Sequence, residues 1–308
     1  MSLQRWLILA ILVIVAAWSG MYFWRFYNGK ALYPVQGEYV KVEQNGLYVL
    51  VRGEGRGPAV LFLSGFPYHS ESFFALASRP PAGYRFITLD FPGLGWSEKK
   101  VTQPLTPADM ALQVKLALDK LEIQEVILVG HDLGGGVALV CASMFPQLVK
   151  GLMLIAPDSS CGSAAEAMGW WWGVPWISEA WASLFLDRGF IRRLLSRSWT
   201  PGSDTWHAAV EKYVRPLEMP NGRISFLLLH RGRLGFDYRP YEERLGCPVT
   251  VLWGEKDRIL PASLGGKLVQ GLNQARFTPL PGLGHMPQEE APDQVYPLLE
   301  EFLRSLAK

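Results

Sequence analysis

The sequence predicts an α/β fold, a mostly parallel sheet covered by helices on both faces, with a helical segment inserted late in the chain. Three observations predict it. Short apolar runs rich in β-branched residues alternate with helical stretches, the pattern of parallel strands joined by crossover helices. One such run, 125–129, enters Gly130-His131-Asp132-Leu133-Gly134-Gly135-Gly136 and then an apolar helical stretch. Glycines packed into a strand-to-helix junction mark a turn too crowded for Cβ atoms. From about residue 157 to 245 the buried-strand signal stops, and short helical stretches with many aromatics replace it.

Taken in order, the chain begins with an uncharged run, Trp6 to Trp24, between Arg5 and Arg25. At ~1.5 Å per residue such a helix matches a bilayer's hydrocarbon core. Trp18, Tyr22, Phe23, Trp24, Phe26 and Tyr27 crowd its far end like an interfacial aromatic belt. A cleaved secretory signal is the rival reading, through Ala17-Trp18-Ser19. The apolar run continues past that point, which favours an uncleaved single-pass anchor. Arg25, Lys30 and Lys41 follow the span, so the positive-inside rule leans toward a cytoplasmic catalytic domain.

Alternating runs at 38–43 and 47–52 flank Gln44-Asn45-Gly46, a hairpin signal. Strands follow at 59–63, leading into Ser64-Gly65-Phe66-Pro67, and at 84–90, leading into a loop with Gly93 and Gly95. Thr106-Pro107-Ala108-Asp109 opens a helix to about Leu121, with Thr as N-cap, Pro at N1 and a carboxylate at N3. After the glycine-rich turn and its helix come strands at 149–156, 248–253 and 275–280, then an amphipathic helix at 294–306. This makes eight strands. The organisation expected is an anchor at 1–30, a core at 31–157 and 247–308, and a helical cap at 158–246.

Net charge is +2 over 308 residues, so nothing points to nucleic acid as a partner. Cys141, Cys161 and Cys247 have neither metal nor redox spacing, and no Asn-x-Ser/Thr sequon occurs. No metal site is expected, and nothing in the sequence sets an oligomeric state.

The glycine-rich turn has the layout of a nucleophile elbow with Asp132 at the nucleophile position. Downstream, Trp253-Gly254-Glu255-Lys256-Asp257 ends one strand in carboxylates, and Gly282-Leu283-Gly284-His285 ends the next in a glycine-flanked His. Nucleophile, acid and His in that order resemble the α/β-hydrolase superfamily over about residues 37–306. The Gly-x-Asp-x-Gly-Gly elbow resembles its carboxylate-nucleophile branch, the epoxide hydrolases, haloalkane dehalogenases and fluoroacetate-type dehalogenases.

The chemistry of a carboxylate agrees with that branch. Unlike Ser, Asp132 is ionised without a base. It is poorly suited to displace an ester's alkoxide, since an anhydride would form. It can displace a leaving group at a saturated carbon, giving an alkyl ester. The resemblance implies that His285, oriented by Asp257, activates water to cleave that ester, while the N–H groups of Phe66 and Leu133 hold the oxyanion. Glu255 is the rival acid. Ser64 stands where the branch's oxyanion motif has His. Asp90 and Ser97 are expected to fix the glycine loop, and His131 to be a structural hydrogen-bonder.

Epoxide opening also needs an acid on the ring oxygen. The resembling epoxide hydrolases use two cap tyrosines, one from an Asn-Trp/Tyr-Tyr-Arg stretch. Leu228-Leu229-His230-Arg231 corresponds to it here, with His230 at the Tyr position. His230, Tyr213 and Trp171 are therefore expected at the substrate pocket, Tyr238 and Tyr241 being further cap phenols. A halide would need N–H donors, which the cap tryptophans could supply, because Leu133 occupies the place of the Trp that often follows the nucleophile. The reading is a membrane-anchored hydrolase of small apolar substrates, foremost epoxides, with no cofactor. A haloalkane dehalogenase and a catalytically silent binding or scaffold protein are the alternatives.

Overall fold

A computed structural model describes residues 3–27, 37–43, 45–53, 59–100, 102–164, 174 and 177–307. Eight strands form one sheet: β1 Glu38–Val42, β2 Asn45–Arg52, β3 Ala59–Leu63, β4 Arg85–Leu89, β5 Val126–His131, β6 Val149–Ile155, β7 Val249–Gly254 and β8 Ala275–Leu280. Their order is β1-β2-β4-β3-β5-β6-β7-β8, antiparallel from β1 to β4 and parallel from there to β8. The helices are α1 Leu3–Tyr27, α2 Phe74–Ala77, α3 Pro107–Lys120, α4 Leu133–Met144, α5 Ile177–Phe185, α6 Arg188–Ser198, α7 Val210–Glu218, α8 Gly222–Arg233, α9 Arg239–Glu242, α10 Ser263–Gln270, α11 Pro287–Glu290 and α12 Pro292–Leu306.

The period-two alternation of β3 shows how the sheet is buried on both faces. Leu61 and Leu63 join a core with Val114 and Leu118 of α3 and Val137 of α4, while Val60 and Phe62 face Leu76 of α2 and Leu299 and Phe302 of α12. The start of α3 is fixed by a capping box: Asp109 N–H donates to Thr106 Oγ1, and the Asp109 carboxylate accepts from the Thr106 backbone N–H at 2.8 Å.

The hairpin differs from the sequence reading by its turn. Register pairs Val42 with Asn45, so the connection falls at Glu43, with φ +52, and at Gln44, which lies outside the described residues. Asn45-Gly46 belongs to β2, where the Gly46 N–H donates to the Glu98 carboxylate at 2.6 Å. A long-range partner thus competes with the local turn preference. The final helix also begins earlier than periodicity indicates, at Pro292.

Between β6 and β7 the described residues form α5 to α9 and one short 3₁₀ turn, Thr205–Ala209, with no strand of the sheet. Ile191, Leu195, Val214 and Phe226 of this insert share a core with β3 and β5, so the insert is packed onto the sheet side of the molecule. Helix α1 adjoins α5 and α8. Its stretch Gln4–Met21 has mean hydropathy 1.6, is not buried, and is long and apolar enough to cross a membrane.

Two glycines make opposite predictions. A Cβ on Gly134 would sit 2.1 Å from the Leu63 carbonyl oxygen, so Gly134→Ala is expected to cost about 1–3 kcal/mol. A Cβ on Gly266, inside α10, would meet nothing within 4 Å, so Gly266→Ala is expected to stabilise by about 0.5–1 kcal/mol. Urea unfolding of both variants checks the pair, and equal effects would contradict the packing described.

Candidate active site

Asp132 lies between β5 and α4 with φ 47° and ψ −120°, a conformation that L-residues rarely adopt. The turn is held by its backbone. Asp132 N–H donates to the Ile155 carbonyl at 3.1 Å, and the Asp132 carbonyl accepts from Gly136 and Asp158 N–H at 3.1 and 3.0 Å. Gly130 and Gly134 are required because a Cβ on either would strike main chain at 2.5 or 2.1 Å. Gly65 approaches the carboxylate so closely that its Cβ would lie 2.6 Å from that of Asp132.

That closeness sets the hydrogen bonding. Phe66 N–H donates to Asp132 Oδ2 at 2.8 Å, and the neighbouring Leu133 N–H also favours the ionised carboxyl. The other oxygen, Oδ1, accepts from Arg233 Nη2 at 3.2 Å. Arg233 comes from the end of α8 and donates from the same nitrogen to Asp158 Oδ2 at 2.5 Å. Asp158, just beyond β6, is positioned by Ala164 N–H on its Oδ1 at 2.9 Å. All three side chains are at most 1% exposed.

Burial works to raise the Asp132 pKa, but the charges of Arg233, His285 and His131 and the Leu133 N–H outweigh it, so the carboxyl is held below its ordinary value. Asp158 goes the other way. Burial pushes it up to about 6, which Arg233 opposes and the Asp132 charge reinforces. Burial alone would lower the Arg233 pKa, yet its two carboxylate partners raise it further.

Asp257 and His285 meet as their order in the chain suggests. His285 Nδ1 lies 2.7 Å from Asp257 Oδ2, both side chains being almost wholly enclosed. The other Asp257 oxygen accepts from Ile259 and Leu260 N–H, and Trp253 Nε1 donates to Oδ2 at 3.1 Å. Burial would depress the His285 pKa, but Asp257 first, then Asp132 and Asp158, raise it above 6.5. Glu255, the rival acid, is exposed. His131 Nε2–H donates to the His285 carbonyl at 2.9 Å, and burial lowers its pKa to about 3, as befits a neutral structural group. Asp90 accepts from Ser70 and Trp96 N–H, and Ser97 Oγ donates to the Asp90 carbonyl, so this pair ties down the glycine loop.

A cavity of about 380 Å³ opens above His285 and Arg233. Phe66, Tyr68, Trp181, Phe190 and Phe226 form much of its wall. Two of the three expected pocket residues, Tyr213 and His230, are placed differently. Tyr213 is not among the described lining residues; its hydroxyl donates to Glu289 Oε2 at 2.5 Å. His230 is buried behind the wall with its ring 5.9 Å from that of Phe66. Burial, then Arg233 and Arg231, drives its pKa down to about 3, so it is neutral near pH 7 and not an imidazolium acid. Trp171 lies outside the described residues, and Trp181 is the described indole on the wall. Tyr68, which the sequence does not single out, brings a phenol to the cavity, with its oxygen 2.6 Å from Ser198 Oγ.

Besides Tyr68, the residues missed outright are Arg233 and Asp158. Asp158 carried one signal, its place just past the carboxyl end of a sheet strand, where α/β sheets bind ligands. Arg233 carried none, since it contacts Asp132 across 101 residues of chain.

Comparison with known proteins agrees with this geometry at the level of the fold. Residues 58–292 match the family described as alpha/beta hydrolase fold, and the chain belongs to that family. It is 26% identical to a 2-hydroxy-6-oxononadienedioate/2-hydroxy-6-oxononatrienedioate hydrolase of Pseudomonas sp, over 84% of this chain and 89% of the relative. It is 25% identical to human epoxide hydrolase 4, over 86% of this chain and 78% of that one. The solved structure of the epoxide hydrolase CorEH superposes with TM-score 0.75 at 20% identity, covering 88% of this chain and 95% of that one.

Removing the guanidinium would leave two enclosed carboxylates without a cation. Arg233→Met is expected to cost about 3–5 kcal/mol at pH 7. The cost should shrink toward pH 5, where carboxyls whose pKa values rise on folding take up protons in the native state. The double variant with Asp158→Asn should regain part of the loss. Urea unfolding at both pH values checks this, and a loss independent of pH would contradict the charge balance.

Proposed function

We propose that the chain is a hydrolase using Asp132 as a covalent nucleophile, most suited to epoxides. One observation carries this reading: a buried carboxylate at the sharp turn accepts from the Phe66 N–H on one oxygen and from Arg233 on the other, and the same site holds the His285–Asp257 pair. Oδ2, held by the Phe66 N–H, is suited to become the ester carbonyl. Oδ1 is the attacking atom. Enclosed as it is, it must leave Arg233, which stays neutralised through Asp158.

The steps balance without a cofactor. Oδ1 bonds the saturated ring carbon, the carbon–oxygen bond breaks, and the ring oxygen takes a proton from the Tyr68 hydroxyl. His285, with Nδ1 on Asp257, uses Nε2 to remove a proton from water, which attacks the ester carbonyl carbon. Phe66 and Leu133 N–H hold the resulting oxyanion. Collapse frees the diol and Asp132, and the proton on His285 is returned to Tyr68.

Helix α1 serves in this reading as a single-pass anchor, with the catalytic part on the cytoplasmic side by the excess of positive charge after the span. Haloalkane hydrolysis shares the same first step, and Trp181 on the cavity wall is the observation favouring it. The complete enclosure of Asp132 is the observation favouring a hydrolase fold kept for binding.

Single-turnover reaction with excess enzyme in ¹⁸O-water, on epoxide and haloalkane panels, tests the reading. Label should enter the peptide containing Asp132 and not the first-turnover product. Label in that product would refute the covalent route, and no turnover on either panel would favour the binding protein. The pH profile gives a second check. A base must be unprotonated, so kcat/KM should rise as pH passes through a His285 pKa above 6.5. Asp257→Asn removes the main raising influence and should move that limb to lower pH. A limb unmoved would exclude His285 as the base.

A further inference from the structure

The charge of the cavity is uneven in a way the reaction does not explain. Four lining residues can be cationic, Arg193, Arg197, Arg233 and His285, and no carboxylate is among the described lining residues. The inner two are matched. Arg233 meets Asp132 and Asp158, and His285 meets Asp257. Among the described residues neither Arg193 nor Arg197 has an acidic group within ion-pair distance, although Arg188 on the same helix is paired with Glu211. The net positive charge of the cavity therefore sits with the outer pair.

Their placement follows from helix geometry. Phe190, Arg193, Leu194 and Arg197 recur at helical spacing on α6, so they share the face that walls the cavity. Two like charges at i and i+4 disfavour the helix itself. Both arginines are exposed, whereas Arg233 and His285 are enclosed, so the pair stands at the cavity mouth with Arg233 and His285 at its floor. Between the two ends the walls are mainly apolar: Phe66, Trp181, Phe190, Leu194, Phe226 and Ile259.

We propose that Arg193 and Arg197 form an anion-recognition subsite. The substrate is then an apolar chain bearing a carboxylate at the end remote from the reacting carbon. Two guanidinium forks suit a planar carboxylate, and the apolar walls suit the chain. The carboxylate is bound and not transformed, so no covalent step is added. That the other end carries an epoxide rests on the function proposed above, but the subsite does not.

The experiment separates the two claims. Epoxides of one chain length are prepared with a terminal carboxylate, its methyl ester or an ammonium group, and KM is measured with the full-length protein in neutral detergent. The carboxylate should be favoured over the ester about tenfold, less at high salt. In Arg193→Gln/Arg197→Gln the ratio should fall to about one, and in Arg193→Glu/Arg197→Glu the preference should pass to the ammonium compound. Arg192→Gln, an exposed position on the same helix that does not line the cavity, should leave the ratio unchanged.

A second measurement needs no turnover. Calorimetric binding of a saturated fatty carboxylate and of the alcohol of the same length is compared on the unaltered protein and on the Gln/Gln variant. A carboxylate preference lost in the variant supports the subsite even if no epoxide reacts. Equal binding of carboxylate and alcohol, or a preference that survives the Gln/Gln change, overturns it.

Discussion

A single enclosed charge organises the centre of this molecule. Asp132 is an ionised carboxylate with no exposed surface, held between the Phe66 backbone N–H on one oxygen and a guanidinium on the other. Such a charge is costly to bury unless it is paired and hydrogen-bonded. The surrounding structure supplies that pairing. The turn after β5 needs glycines so that β3 can come close enough to present the Phe66 N–H. The insert closes over the sheet to deliver Arg233, and the loop beyond β6 delivers Asp158, a second carboxylate on the same guanidinium.

The arrangement also assigns different tasks to carboxyls of the same type. Asp132 is kept low by its cations, while Asp158, which burial and the neighbouring charge push upward, acts as the adjustable member. In the proposed reaction Asp132 would lose its charge on forming an ester, and Arg233 would still be compensated by Asp158. Asp257 is spent on His285, holding Nδ1 and raising the ring's basicity. Separate partners thus allow one site to hold an ionised carboxylate and a basic imidazole together.

Much of this was legible in the sequence because it is local. Strand periodicity, the Thr106–Asp109 cap and the crowded glycines each depend on residues a few positions apart. The strand ends carrying Asp257 and His285 were legible as well, since the fold brings the carboxyl ends of adjacent strands together. What escaped depends on distant partners. The hairpin turn moved because Gly46 found Glu98, and Tyr213 turned to Glu289 and not to the cavity. Arg233 reads in sequence as one more cation in a basic run. Only the packing of α8 over the turn gives it two carboxylates, and no spacing rule encodes that.

The central claim is that Asp132 itself bonds to substrate carbon, and trapping tests it most directly. In His285→Gln the ester should form but not be cleaved. Mass spectrometry of that variant after exposure to an epoxide that the unaltered protein consumes should show one added substrate mass on the peptide containing Asp132, absent when Asp132 is also changed to Asn. An adduct on any other residue, or no adduct from such a substrate, would contradict the account.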